Sequence, residues 1–176
     1  RYLGISEVSA EQIKKAHATF PITAVQNEIS LFGREVETNG VYELTQAQGI
    51  GLVAYSPLGR GFITGQIKSP DDIPADDFRR LIPRFQGEQF YKNVALVREL
   101  EQIGMEKQVT PSQLALAWLI QKDIVPIPGT KKVRYLEQNI AATEILLTPE
   151  ELQRIEAILP VGLDTGSRDV SIPLQS

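Results

Sequence analysis

Residues Ile50-Gly-Leu-Val-Ala-Tyr-Ser-Pro-Leu-Gly-Arg-Gly-Phe62 join two kinds of sequence. Ile50, Leu52, Val53 and Ala54 form an apolar run of strand length with β-branched members. The run breaks at once into Ser56-Pro57-Leu58-Gly59-Arg60-Gly61, a loop with two glycines, a proline and one guanidinium. A buried strand feeding such a loop is how α/β proteins set backbone N–H groups and an arginine beside a ligand, at the carboxyl end of a sheet. Turn geometry alone also accounts for Gly and Pro at a strand end, so the other strands decide between the two readings.

Upstream, Tyr2–Ile5 reads as a short buried strand ending at Ser6. Ser9 and Gln12 then form a capping box that opens a helix to about Ala18, with Ile13, Ala16 and His17 toward the core. After Pro21, Ile22–Val25 is a second strand ending in Gln26-Asn27-Glu28. A helix near Val41–Ala47 stops at Gly49. Downstream, residues 66–88 carry Pro70, Pro74 and Pro83 among many charges, which predicts a long wet connection, either a lid or a mobile loop. Val94, Val97, Leu100 and Ile103 recur at helical spacing up to Gly104. Thr110-Pro111-Ser112-Gln113 opens a helix, Leu114–Ile120, apolar almost all round and therefore buried. Ile124–Ile127 is a fourth strand, kept short by its prolines. Pro128-Gly129-Thr130-Lys131-Lys132 leads into a helix to about Ala142. Thr148 caps a last helix to about Leu159, and the tail from Val161 reads as irregular.

This alternation predicts βαβ units and a parallel sheet. No Gly-x-Gly-x-x-Gly follows the first strand, which disfavours a Rossmann domain. Four units suit half of an eight-stranded β/α (TIM) barrel, which typically needs about 250 residues. The chain has 176 residues and starts inside a strand without an initiator Met. We therefore expect one domain over residues 1–176, the C-terminal half of a barrel with residues 66–88 as its long loop, cut from a longer protein.

The net charge of -4 argues against nucleic acid or an anionic membrane as partner. With no cysteine and one histidine, disulfides, thiolate metal sites and multi-His metal sites are excluded. The absence of cysteine fits a reducing, cytoplasmic setting, and no apolar run approaches the ~18 residues of a membrane span.

The four strand-end loops begin at Ser6-Glu7, Gln26-Asn27, Tyr55-Ser56 and Gly129-Thr130. Hydroxyls and amides can bind a carboxamide, and an aromatic face can stack on a heterocycle. Local backbone satisfaction by Ser and Asn is the plain alternative. Gly129-Thr130-Lys131-Lys132 sits before a helix whose first N–H groups lack partners, which makes a phosphate site. The competing reading is an ordinary helix start with Thr130 as cap and two solvated lysines. With Arg60 and the neighbouring glycines available for a second phosphate, a dinucleotide ligand fits.

Four pieces in this order, Tyr2-Leu-Gly-Ile-Ser-Glu7, Ala24-Val-Gln-Asn-Glu28, Val53-Ala-Tyr-Ser-Pro-Leu-Gly-Arg-Gly61 and Ile127-Pro-Gly-Thr-Lys131 with Gln138-Asn139, resemble the aldo-keto reductase family over essentially the whole chain. They look like strands five to eight of that family's barrel. The resemblance implies that Ser6 and Gln26 hold a nicotinamide carboxamide and that Tyr55 stacks on the ring. It further implies that Ser56, Leu58, Gly59 and Arg60 line the pyrophosphate. Gly129, Thr130 and Lys131 would take the 2′-phosphate of NADP, with Gln138 and Asn139 on the adenine. The family often has Asn where this chain has Glu7; the Ser-Glu pair is similar to a branch of plant and microbial reductases of broad carbonyl specificity. The family's Tyr, Lys, Asp and His of catalysis belong to strands preceding Arg1, so no catalytic residue is expected here. His17 reads as a packing or surface histidine. The implied activity is NADPH-dependent reduction of aldehydes or ketones to alcohols by hydride transfer, with the segment inactive alone. The implied partners are a small carbonyl substrate and, for the exposed strands, a second copy or the missing half-barrel. The rival expectations are a regulatory subunit on the same fold, like the potassium-channel β-subunits, and a different phosphate-binding barrel enzyme.

Overall fold

The computed structural model describes residues 1–169. Four strands, β1 (Leu3–Ser6), β2 (Ile22–Glu28), β3 (Gly51–Tyr55) and β4 (Ile124–Pro126), form one parallel sheet in the order β1-β2-β3-β4. Each strand is added on the same side as the last, with no reversal of order, which is the topology of a β/α barrel and not of a doubly wound sheet. Helix α1 (Ala10–Thr19) connects β1 to β2, and α2 (Val41–Gln48) connects β2 to β3. Helices α3 (Gly87–Lys107) and α4 (Pro111–Gln121) precede β4; α5 (Val133–Ala141) and α6 (Pro149–Ile158) follow it.

Only one face of the sheet is covered. On β3, Leu52 and Ala54 are buried while Gly51 is exposed, and on β4 Ile124 is buried while Val125 is 58% exposed. The bare face is the one that lines the interior of a closed barrel, so these residues make four βα units of such a barrel. The same geometry corrects the expectation of a buried first strand: Leu3 is 50% exposed, because β1 pairs on one side only. Strand β2 runs on to Glu28 because Gln26, Asn27 and Glu28 pair with Val53, Ala54 and Tyr55.

Ser9, Thr110 and Thr148 each accept a backbone N–H from the third helical residue, whose own side chain returns to the cap, so α1, α4 and α6 start as the sequence indicates. Helix α3 begins well before Val94, because Phe90 and Asn93 extend its buried stripe. It turns into α4 where Gly104 meets the Val109 carbonyl; a Cβ there would lie 2.7 Å from that oxygen. Helix α4 carries Trp118, fully buried, whose indole N–H donates to Glu156 of α6.

Residues 66–88 differ from expectation. They fold into short 3-10 turns at Pro70–Asp72, Phe78–Leu81 and Pro83–Phe85, and they bury Ile67, Ile73, Ile82 and Phe85. The prolines do prevent a helix, but the freed carbonyls of Pro70 and Ile73 accept from the Arg80 guanidinium. Arg84, expected in solvent, is 1% exposed. No helix among the described residues is long and apolar enough to cross a membrane. Of the tail expected to be irregular, residues 170–176 lie outside the described residues.

Candidate binding site at the carboxyl end of the sheet

A cavity of about 760 Å³ opens between the loop after β3 and the loop after β4. Ser56, Leu58 and Arg60 line it from the first loop, and Gly129, Thr130 and Lys131 from the second. Gln138 and Asn139 on α5 complete the set of expected residues found in its wall. Thr110 and Ser112, read in the sequence only as the start of α4, also reach the cavity, as do Gln66 and Tyr135. Their helix-start and loop positions gave no sign of this.

The loop after β4 is electrostatically open. Thr130 does not cap α5: its hydroxyl accepts the Lys132 N–H at 3.2 Å, and Lys132 itself occupies the cap position without a side-chain hydrogen bond. The first N–H groups of α5 therefore have no side-chain partner, at the positive end of the helix dipole. Lys131, Lys132 and Arg134 make no ion pair among the described residues. Lys132 and Arg134 lie over the Tyr135 ring, 5.8 and 4.5 Å from its centroid. Hydrogen bonds from Gln66 and then Arg134 hold the Tyr135 phenol below its usual range.

Ser6, Gln26 and Tyr55 stand outside that cavity, at adjacent strand ends. Ser6 is in register with Gln26 and donates its hydroxyl proton to the Gln26 carbonyl at 2.8 Å. Tyr55 is in register with Glu28. Burial first, and then the Glu7 carboxylate beside it, push the Tyr55 phenol up to about 12. Ser56 and Arg60 have φ of 49° and 57°, left-handed values that ordinary side chains avoid and that concentrate at functional turns. Gly59 sits behind the cavity wall. Its N–H is used by the Ser56 carbonyl, and an added Cβ would be 3.2 Å from the Phe32 ring.

Sequence reading passed over the centre of this strand-end group. The Glu28 side chain is fully buried, and its carboxylate faces Arg60 at 3.1 Å, Arg84 at 3.8 Å and Arg168 at 3.8 Å. Glu28 was visible as the last residue of β2, but its partners come from the loop after β3, the long connection and the tail, which no local pattern links to it. His17 accepts the Ile22 N–H through Nδ1, a packing role. No group of three or more His, Asp or Glu among the described residues could hold a metal.

The aldo/keto reductase family profile matches residues 1–160. The NADP(+) aldo-keto reductase yakc of Schizosaccharomyces pombe is 49% identical over 159 residues, covering 88% of this chain and 47% of that protein. Aldo-keto reductase str7 of Strobilurus tenacellus is 43% identical over 173 residues, 96% of this chain and 52% of that protein. Among solved structures, the glycerol dehydrogenase of Gluconobacter oxydans superposes with a TM-score of 0.84 at 26% identity, over 90% of this chain and 49% of that one. The chain spans about half the length of the curated relatives it matches.

Proposed function

The chain belongs to the aldo/keto reductase family, and from that premise we propose that it is the cofactor-binding half of an NADPH-dependent oxidoreductase reducing aldehydes or ketones to alcohols. One observation carries this reading: the cavity joins an uncapped helix N-terminus and Lys131, which has no ion pair among the described residues, to the strained loop after β3. Its size suits a nucleotide, and its cations suit phosphate. The name of the yeast relative, which includes NADP(+), supports the choice of cofactor.

In this reading Thr130, Lys131 and the N–H groups of Gly129 and early α5 hold the 2′-phosphate. Gln138 and Asn139 contact the adenine through their amides. Ser56, Leu58, Gly59 and Arg60 flank the pyrophosphate, with Arg60 anchored behind by Glu28. Ser6 and Gln26 face the carboxamide, and the Tyr55 ring stacks on the nicotinamide. When bound, that cofactor supplies the hydride for the carbonyl carbon. A phenol near 12 is a weak proton donor at neutral pH, which suits Tyr55 to stacking and not to general acid work. The proton donor belongs, in this proposal, to the portion of the relatives that these residues do not match, so the segment alone is inactive. The compartment proposed is the cytoplasm, and the bare sheet face is proposed to pair with the other half of the barrel.

The test is titration of the complete protein with NADPH and NADH, followed by NADPH oxidation with a panel of aldehydes and ketones. Tighter binding of NADPH and carbonyl-dependent oxidation are expected. Equal binding of both cofactors, or none, overturns the assignment of the loop after β4.

A further inference from the structure

Glu7 has a φ of 52°, an uncommon conformation for a side chain other than glycine or asparagine, and such strain persists only where the surroundings fix it. Its backbone N–H donates to the Gln26 carbonyl at 3.1 Å. Both oxygens of its carboxylate are engaged: Oε1 accepts the Glu28 N–H at 2.7 Å, and Oε2 accepts from Arg168 Nη2 at 2.7 Å. Arg168 Nη1 lies 3.4 Å from Oε1, so the guanidinium addresses both oxygens. The same guanidinium stands 3.8 Å from Glu28.

The segment that delivers Arg168 is docked, although it follows the last helix. The Thr165 hydroxyl donates to the Phe32 carbonyl at 2.9 Å. Asn93, fully buried, donates to the Thr165 carbonyl at 2.9 Å, and Arg84 donates to the Gly166 carbonyl at 3.3 Å. Releasing the segment would strip those bonds from buried polar groups, which is costly. Gly166 passes so close to Arg84 that a Cβ on it would lie 2.7 Å from the Arg84 Cα.

We infer that Arg168 is a positioning residue: carried by residues 163–168, it pins the Glu7 carboxylate at the end of β1. Glu7 then serves as a fixed acceptor beside Tyr55 and Glu28 and is not free to bind a carboxamide itself. The opposing charges also let Glu7 and Glu28 stand at neighbouring strand ends without repulsion, which keeps the Tyr55 ring in one place. The consequence for cofactor binding rests on the functional reading above; the pinning of Glu7 does not. A chain segment beyond the family match at residues 1–160 would thus set the geometry of the site.

The experiment uses the complete enzyme with Arg168→Gln, Arg168→Lys and Gly166→Ala. Amide hydrogen exchange at Glu28 without cofactor reports on Glu7, with the fully buried Ile13 as control for folding. NADPH affinity is measured by titration. Arg168→Gln is expected to speed Glu28 exchange about tenfold while leaving Ile13 unchanged, and to weaken NADPH binding about threefold, as for a partly exposed ion pair. Gly166→Ala should reproduce both effects by displacing the segment, and Arg168→Lys should fall between, since an ammonium cannot address both oxygens. Glu28 exchange at the wild-type rate in Arg168→Gln overturns the inference; faster exchange with unaltered NADPH affinity upholds the pinning of Glu7 and overturns its effect on the cofactor site. If the wild-type enzyme does not bind NADPH while Glu28 exchange still responds, the functional reading falls and the pinning of Glu7 stands.

Discussion

Glu28, at the end of β2, is enclosed by Arg60, Arg84 and Arg168, whereas Lys131, Lys132 and Arg134, in and after the loop that follows β4, face no carboxylate among the described residues. Both groups sit at the carboxyl end of one sheet, a few strands apart. In the first, charge is buried and answered from within, by side chains distant in sequence. In the second, charge is exposed beside an uncapped helix, and no carboxylate among the described residues answers it. The comparison teaches how to separate scaffold from ligand site at the mouth of a barrel: internal pairing holds loops in place, and unanswered charge at a cavity wall marks where a ligand of opposite sign belongs.

Glu28→Gln tests the closed group and carries the largest expected effect. It leaves the buried Arg84 without its counter-charge, which should destabilise the fold by about 3–5 kcal/mol. Urea unfolding measures it; a loss below ~1 kcal/mol would show that the cluster does not organise the loops. Lys131→Ala tests the open group. Stability should stay within about 0.5 kcal/mol of wild type, because no internal partner is lost. The preference for NADPH over NADH should fall roughly tenfold or more, as for one charge-assisted hydrogen bond. Equal preference in mutant and wild type would remove Lys131 from the phosphate site.

A third cluster sharpens the contrast through pH. Burial by itself would raise the Glu37 carboxyl, but hydrogen bonds from Arg34 and Lys122 overcome this and hold it below its usual range. Glu156 is held low in the same way, with Arg34 and the Trp118 indole as donors. Because these pKa values are lower in the fold than in the unfolded chain, the stability they confer is fully present above the unfolded value of about pH 4.5 and is lost as pH falls from there through the lower folded values. The loss should appear as a fall in the free energy of unfolding. It is read from urea midpoints between neutral and acid pH, and it should shrink in Glu37→Gln.

What could be read from the sequence was whatever depends on near neighbours. The caps at Ser9, Thr110 and Thr148, the alternation through Leu52 and Ala54, and the break at Pro57 each act within a few residues, and all appear in the fold. The parallel order followed from them. The strand-end cluster did not, because Arg84 and Arg168 reach Glu28 only through tertiary packing, and an arginine flanked by prolines and aspartates looks solvated. The exposure of β1 was hidden for the opposite reason: Leu3 and Ile5 have the composition of a core strand, yet the described residues leave Leu3 half exposed. The loop after β4 could be read as a candidate phosphate site, but whether Thr130 capped α5 could not, since a threonine before a helix can bond to any of several nearby N–H groups.

That last ambiguity gives the smallest and cleanest comparison. Thr148 and Thr130 both precede a helix, and both could serve as caps by sequence. Thr148 accepts the Glu151 N–H at 3.2 Å while Glu151 returns to the Thr148 N–H at 2.8 Å, a reciprocal pair that stabilises the first turn of α6. Thr130 bonds within its own turn, to Lys132, and leaves α5 uncapped. Thr148→Ala should therefore cost about 1 kcal/mol in urea unfolding, and Thr130→Ala close to nothing, since the helix never used that hydroxyl. Thr130→Ala should instead appear in NADPH affinity, if the hydroxyl turns from Lys132 to a phosphate when the cofactor binds. Equal stability losses at the two positions would mean that Thr130 does cap α5 in solution, and the helix N-terminus would then no longer be open to a ligand.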